Sequence, residues 1–256
     1  MSDTALAGVG VLVTRPDQQA DELVQAIENL GGQAVRFPTI EIVPREGANI
    51  SACVAALPHP DIAIFVSSNA VRYGLAFAQS DRIAAIGPAT AAAIEAAGRS
   101  VDIRPASGFD SEHLLGEAAL QQVSNTTIRI IRGQDGREML ATTLRDRGAT
   151  VDFLAVYDRL MPEYETARID AYASEWQSGN INVVTAMSVA SLENLIALTP
   201  DSCLHLLART PLVTPASRVI KEALNRFPDI PAVLAKGPHA DEIVRTISAL
   251  GQTAPG

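Results

Sequence analysis

Two stretches of this chain repeat one another. Val11 to Pro44 and Ile128 to Met161 align without a gap at a constant offset of 117 residues, with Arg15 over Arg132, Gly31 over Gly148, Val35 over Asp152 and Ile40 over Tyr157. Few letters are identical. What recurs is an order: apolar strand, polar turn, amphipathic helix, glycine stop. GVGVLVT is the first strand, Arg15-Pro16-Asp17 its turn, and Ala20, Leu23, Val24, Ile27 and Leu30 then recur at helical spacing before Gly31-Gly32. An extended run, AVRFPTIEIVP, follows. Later segments echo in the same way: INVVTAMSVASLENLIAL repeats the pattern of DIAIFVSSNAVRYGLAF, PLVTPASRVIKEAL that of AIGPATAAAIEAAG, and AVLAKGPHADEIVRTISAL that of VDIRPASGFDSEHLLGEAAL. Strand and helix alternate throughout, so the expected class is α/β with parallel sheets. A repeat of this length predicts duplication of one five-strand module. Two modules are expected to meet in a cleft, where ligands commonly bind.

The 256 residues allow two domains of ordinary size. No run approaches 18 apolar residues, and MSDTALAGVG lacks the basic and apolar regions of a signal peptide, so the expectation is a soluble cytoplasmic protein. A formal charge of −9 argues against duplex nucleic acid or an anionic membrane as main partner, since both reward a basic face. It leaves an anionic small molecule open, because a few convergent arginines and backbone N–H groups suffice to hold one. Cys53 and Cys203 lie far apart and the four histidines are scattered, so no metal site is expected and both cysteines are predicted as buried small hydrophobes. The segments 44–60 and 161–180 are predicted as linkers and surface helices.

Chemistry is sought at the strand-to-helix turns, since ligands of open α/β sheets bind at the carboxyl ends of the strands. The five turns are VTRPD, VSSNAV, GPATAA, ASGFDSE and IRGQDGRE. Their Ser, Thr and Gly residues serve either as helix caps or as ligand contacts. GxGxxG, the P-loop and the GxSxG elbow are all absent, which removes nucleotide and serine-hydrolase readings. Arg15 and Arg132 each follow an apolar strand at the same place in the two repeats, and each is either an anion contact or half of a structural salt bridge. Tyr157 stands where the first repeat has Ile40. It is either a half-buried strand tyrosine or a phenol held at the cleft as hydrogen-bond donor to a departing oxygen.

The order VTRP, a helix ending in GG, PTIEIVP, IFVSSNAV, AAIGPATAAAIEAAG, SEHLL and IRGQDGREMLATTLRDRGATVDFLAVYDRLMP resembles the uroporphyrinogen-III synthase (HemD-like) family, over residues 9 to 162 most closely. The resemblance implies two similar, doubly wound, flavodoxin-like parallel-sheet lobes joined by a two-stranded β-ladder. Residues 1–36 and 164–256 would form lobe one, 50–149 lobe two, and 37–49 and 150–163 the ladder. The implied reaction, in the cleft between lobes, cyclises hydroxymethylbilane to uroporphyrinogen III with loss of water and inversion of ring D. It implies no metal or organic cofactor, a monomer, and the small-molecule tetrapyrrole as partner. By motif position, Tyr157 corresponds to a tyrosine that assists departure of the hydroxyl, and Thr90 in GPAT to a cleft threonine. Arg15, Ser67, Ser68, Asn69, Arg132, Gly133 and Arg137 occupy other cleft-facing positions. AMSVAS departs from the family's SPS-like turn and leaves Ser188 as its counterpart, and either Thr214 or Ser217 takes the second cleft threonine's place. The alternative is a two-lobed binding or sensory module that closes on a small polyanion without turning it over. Tyr157 separates the two readings, because a pure binder has no use for a phenol there.

Overall fold

The computed structural model describes residues 4–108, 110–134 and 138–251. In chain order the elements are β1 (Gly10–Val13), α1 (Asp21–Glu28), β2 (Gln33–Arg36), β3 (Glu41–Pro44), α2 (Gly47–Ala56), β4 (Ile62–Phe65), α3 (Ser68–Gly74), β5 (Arg82–Ala85), α4 (Pro88–Ala96) and α5 (Ser111–Gly116). They continue as β6 (Thr127–Gly133), α6 (Met139–Asp146), β7 (Thr150–Leu160), α7 (Thr166–Gln177), β8 (Val183–Thr185), α8 (Val189–Leu198), α9 (Leu204–Leu207), β9 (Leu212–Thr214), α10 (Ser217–Arg226), β10 (Ala232–Leu234) and α11 (Ala240–Gly251). The chain divides into two compact units, Met1–Glu41 with Leu160–Gly256, and Ile42–Arg159.

The first unit holds a five-stranded sheet in the order β2-β1-β8-β9-β10, with every neighbouring pair parallel. Its strands are apolar at successive positions because they are covered on both faces. Val11 and Val13 point to one side, packing with Leu23, Ile27, Ile243 and Ile247 of α1 and α11. Leu12, between them, points to the other, with Tyr172, Trp176, Leu192, Leu195 and Val219 of α7, α8 and α10. That is the two-residue alternation of a strand read against two helical layers.

The second unit has the order β3-β7-β6-β4-β5, parallel along β7-β6-β4-β5. Ile62, Ile64, Ile128 and Ile130 face α5 and α6, packing on Leu114, Leu140 and Leu144. On the opposite face α3 comes close enough that a Cβ at Gly74 would lie 2.5 Å from Ile131 and 3.2 Å from Val156.

Three local expectations change. The run AVRFPTIEIVP is not one strand: Pro38 has no N–H to donate, and the chain leaves β2, which pairs with β1, before β3 joins the other sheet. In the second repeat the same stretch has Ala155 at that place and runs on as the 11-residue β7. The expected strand VDIRPAS reduces to a single parallel bridge between Ile103 and Ala84, since Pro105 again removes a donor. Cys203 is buried as expected, but Cys53 is exposed, lying on α2, whose one buried residue is Ile50. Gly31 and Gly148 both end their helices at positive φ, 78° and 88°, the left-handed turn that favours glycine.

Candidate active site

In each sheet the strand order reverses direction beside one strand, and the crevice at that switch is where ligands of open α/β sheets bind. In the first unit the switch lies between β1 and β8, so Arg15 and Ser188 flank it. The Arg15 guanidinium donates through Nη2 to the Pro238 carbonyl, after β10, and lies 3.5 Å from the Met187 sulfur, after β8. Its Nε is buried without a partner. Burial draws the guanidinium below its ordinary pKa, and the Glu22 carboxylate opposes that shift. Ser188 caps α8, its hydroxyl accepting the Ser191 N–H at 3.1 Å. Thr214 is fully buried and its hydroxyl accepts the Ala216 N–H at 3.2 Å, whereas Ser217, the first residue of α10, is exposed.

In the second unit the switch lies between β4 and β6. Ser67 caps α3 by accepting the Ala70 N–H at 3.0 Å. Ser68 reaches the neighbouring turn, its hydroxyl donating to the Ala89 carbonyl at 3.3 Å. Asn69 is buried in the first turn of α3, and Thr90 is buried at the third residue of α4. Tyr157 is brought to this group by a slip in register. β6 and β7 pair residue for residue as far as Arg132 with Ala155, and then Gly133 pairs with Tyr157, skipping Val156. Such a bulge re-aims a side chain. Gly133 is required at that point: a Cβ there would meet the Tyr157 ring at 2.7 Å. The phenol oxygen lies 3.2 Å from the Ser67 hydroxyl, and the side chain is 1% exposed.

Arg132 is differently placed from Arg15. It lies over the Phe153 ring at 4.3 Å, pairs with Glu138 at 3.3 Å, and donates to the carbonyls of Gly133 and Gln134. A salt bridge is thus present at Arg132. Arg137 lies outside the described residues.

Two neighbours of the phenol escaped the sequence reading. Arg159 donates through Nη2 to the Tyr157 oxygen at 3.4 Å, and Tyr73 sets its ring 6.2 Å from that of Tyr157. Arg159 was open to discovery, because residues two apart on a strand share a face. Tyr73 was not, since nothing in SSNAVRYG ties it to a strand over eighty residues away. Among the described residues no group of three His, Cys, Asp or Glu side chains is arranged to hold a metal, and no helix is long and apolar enough to cross a membrane.

The family profile described as uroporphyrinogen-III synthase HemD matches residues 21–245. The chain belongs to the uroporphyrinogen-III synthase family. It is 34% identical to the uroporphyrinogen-III synthase of Salmonella typhimurium over 203 residues, covering 75% of this chain and 81% of that one. The enzyme of the same name from Escherichia coli is also 34% identical, over 206 residues. Among solved structures, uroporphyrinogen-III synthetase from Helicobacter pylori has a TM-score of 0.63 at 13% identity, over 94% of this chain and 99% of that one. A mutant uroporphyrinogen III synthase from Thermus thermophilus has a TM-score of 0.58 at 17% identity, over 95% and 99%. At those identities the structural likeness speaks for the fold, and the family assignment rests on the profile and the closer sequences.

Proposed function

We propose that this chain carries out its family's reaction, cyclising hydroxymethylbilane to uroporphyrinogen III with loss of water and inversion of ring D. The observation that carries the reading is the Ser67–Tyr157 hydroxyl pair at the second unit's switch crevice. A binding module needs donors for an anion; it does not need a buried phenol held 3.2 Å from a second hydroxyl.

The substrate is reactive on its own. Losing its hydroxymethyl oxygen leaves an electrophilic azafulvene, which the terminal ring attacks at its substituted carbon to give a spiro intermediate that fragments and recloses. Unguided closure gives the wrong isomer. The protein therefore has to orient a flexible chain, and a 100-fold preference for one closure takes only about 2.7 kcal/mol between barriers. Tyr157 supports departure of the hydroxyl as water. The eight substrate carboxylates suit the helix N-termini at Ser67, Ser68, Asn69, Thr90, Ser188 and Ser217, together with Arg15, which has donors to spare beyond Pro238. Arg132 and Gly133 end β6, with Arg132 paired to Glu138, and Arg137 is proposed as a further carboxylate contact from its motif position alone. Thr214, turned inward, holds the β9 turn.

The finer architecture we propose is two flavodoxin-like lobes. The order β2-β1-β8-β9-β10 supports this, being the 2-1-3-4-5 order of that class once strands are counted within the unit. β3 and β7, neighbours at one sheet edge, would serve as the connecting ladder. We further propose a cytoplasmic monomer that works without cofactor. The test is to generate hydroxymethylbilane in situ, add the protein, and separate type I from type III isomers by chromatography. Type III is the expected product, and unchanged type I rejects the proposal in favour of a binding module.

A further inference from the structure

We infer that Ser67 delivers the proton to the departing oxygen, with Tyr157 behind it as the reservoir and Arg159 as the positioning residue that receives the phenolate's charge. The inference rests on the synthase reading above and deepens it.

Counting donors and acceptors supports one direction for the chain. The Tyr157 oxygen has two neighbours among the described residues, the Ser67 hydroxyl at 3.2 Å and Arg159 Nη2 at 3.4 Å. A guanidinium only donates. Arg159 therefore fills a lone pair on the phenol oxygen. Either oxygen of the hydroxyl pair is able to donate, and among the described residues Ser67 Oγ is an acceptor that the phenol hydrogen can use. That oxygen already accepts the Ala70 N–H at 3.0 Å, and its second lone pair takes the phenol hydrogen. Both acceptor sites are then used, so the serine's own hydrogen points away from the pair. Exposure agrees with this order: Tyr157 is 1% exposed, while Ser67 is half-buried at the start of α3. The relay runs from a buried phenol, through a capping hydroxyl, to the open crevice. Gly133 and the bulge hold the ring against sideways movement.

The step balances as follows. The bond between the hydroxymethyl carbon and its oxygen breaks, its electron pair stays with the oxygen, and that oxygen takes the Ser67 proton and leaves as water. Ser67 recovers a proton from Tyr157. The phenolate formed is held by the Arg159 donors, and the positive charge stays on the tetrapyrrole. When the closed ring regains aromaticity it releases one proton, which returns along the same two hydroxyls to Tyr157.

Because Ser67 also caps a helix, an alanine variant would mix two effects. Ser67→Asn keeps a good capping acceptor and removes the hydroxyl, while Ser67→Thr keeps both. In single-turnover assays on in situ generated hydroxymethylbilane, Ser67→Asn is expected to slow closure by about 100-fold with KM within about twofold, and Ser67→Thr to retain most of the rate. Wild-type rates across mixtures of H₂O and D₂O are expected to bow downward, the signature of two protons in flight. Arg159→Gln is expected to lose about tenfold in kcat, with Arg159→Lys restoring most of it. A straight isotope plot, or Ser67→Asn as fast as Ser67→Thr, overturns the relay. Equal loss in Arg159→Gln and Arg159→Lys overturns the role of charge at 159. A wild-type protein that yields only type I isomer is a separate outcome, visible before any variant is made, and it removes the synthase reading itself.

Discussion

The two units carry the same frame and bury opposite things inside it. In the first, Thr14, Thr39, Thr185 and Ser191 form a closed hydroxyl network. Thr14 donates to the Thr185 carbonyl at 2.6 Å and sits 2.9 Å from the Ser191 hydroxyl, which is 2.8 Å from that of Thr39, while Thr185 donates to the Leu12 carbonyl. At the 117-residue offset Thr14 and Thr39 face Ile131 and Val156. Ser188 lies 121 residues after Ser67, and at that offset Thr185 and Ser191 face Ile64 and Ala70. All four counterparts are buried and apolar. The polar position of the second unit is instead Tyr157, which the first fills with Ile40. One unit commits its hydroxyls to joining β1, β8 and α8. The other packs that region with hydrocarbon and keeps its hydroxyl pair at the crevice.

If that contrast assigns proton chemistry to the second unit, Tyr157→Phe should have the largest effect of any single change. Positioned general acids contribute about 100- to 10,000-fold, so kcat should fall by at least about 100-fold with product affinity nearly unchanged. The variant keeps the ring against Gly133 and loses one hydroxyl. A parallel loss of turnover and product binding, measured by steady-state kinetics and equilibrium titration, would assign the phenol to substrate grip instead.

The arginines sharpen the contrast from the other side. Arg15 retains donors for a carboxylate, whereas the Arg132 contacts are spent on Glu138 and two carbonyls of its own loop. Arg15→Ala should raise KM by about tenfold or more, the worth of one charge-assisted bond, and the wild-type KM should rise with salt. Arg132→Ala should show itself chiefly in thermal stability. A larger KM effect at 132 than at 15 would reverse the assignment.

Much of this was legible in the residues. Continuous apolar runs announced parallel strands covered on both faces, and Gly31 and Gly148 announced helix ends at left-handed turns. Ser67 and Ser188 were visible as turn residues and do cap their helices. Three things were hidden, each because it depends on pairing across the sheet. The bulge that sets Tyr157 opposite Gly133 follows from the register of β6 against β7, which no local pattern encodes. The fate of Arg132 depended on Glu138 and Phe153 lying within reach. The buried network was hidden too, since Thr39 and Ser191 are 152 residues apart in the chain.

That network gives a stability test of the same comparison. Thr39→Val installs the second unit's residue in the first and removes one partner each from the Ser191 hydroxyl, which keeps Thr14, and from the Ser191 carbonyl. The cost should be about 1 kcal/mol, seen as a lower urea midpoint at unchanged slope. Val156→Thr, the converse, should also destabilise, because it puts a hydroxyl into the buried contact of Val156 with α3 at Gly74. A neutral Thr39→Val would mean that the network contributes nothing beyond its shape.

The smallest effect lies where the repeats have drifted furthest, at their last helices. α11 has 12 residues and α5 only 6, and α5 is capped by Asp110, whose carboxylate accepts the His113 N–H at 2.9 Å and lies 2.5 Å from the His113 ring nitrogen. The backbone bond first, then the ring bond, hold the Asp110 carboxyl below its ordinary pKa. A carboxylate with a depressed folded pKa stabilises above its unfolded value, near pH 4, and loses that contribution as pH falls through the folded value. Asp110→Asn keeps a capping oxygen and removes the charge. The pair is exposed and screened, so at pH 7 the midpoint should fall by no more than about 2 °C. The gap from wild type should be present above about pH 4, where the carboxylate is charged, and close below it. Thermal scans from pH 7 to pH 3 decide this: a gap that persists undiminished at pH 3 would show that the charge of Asp110 contributes nothing to this helix.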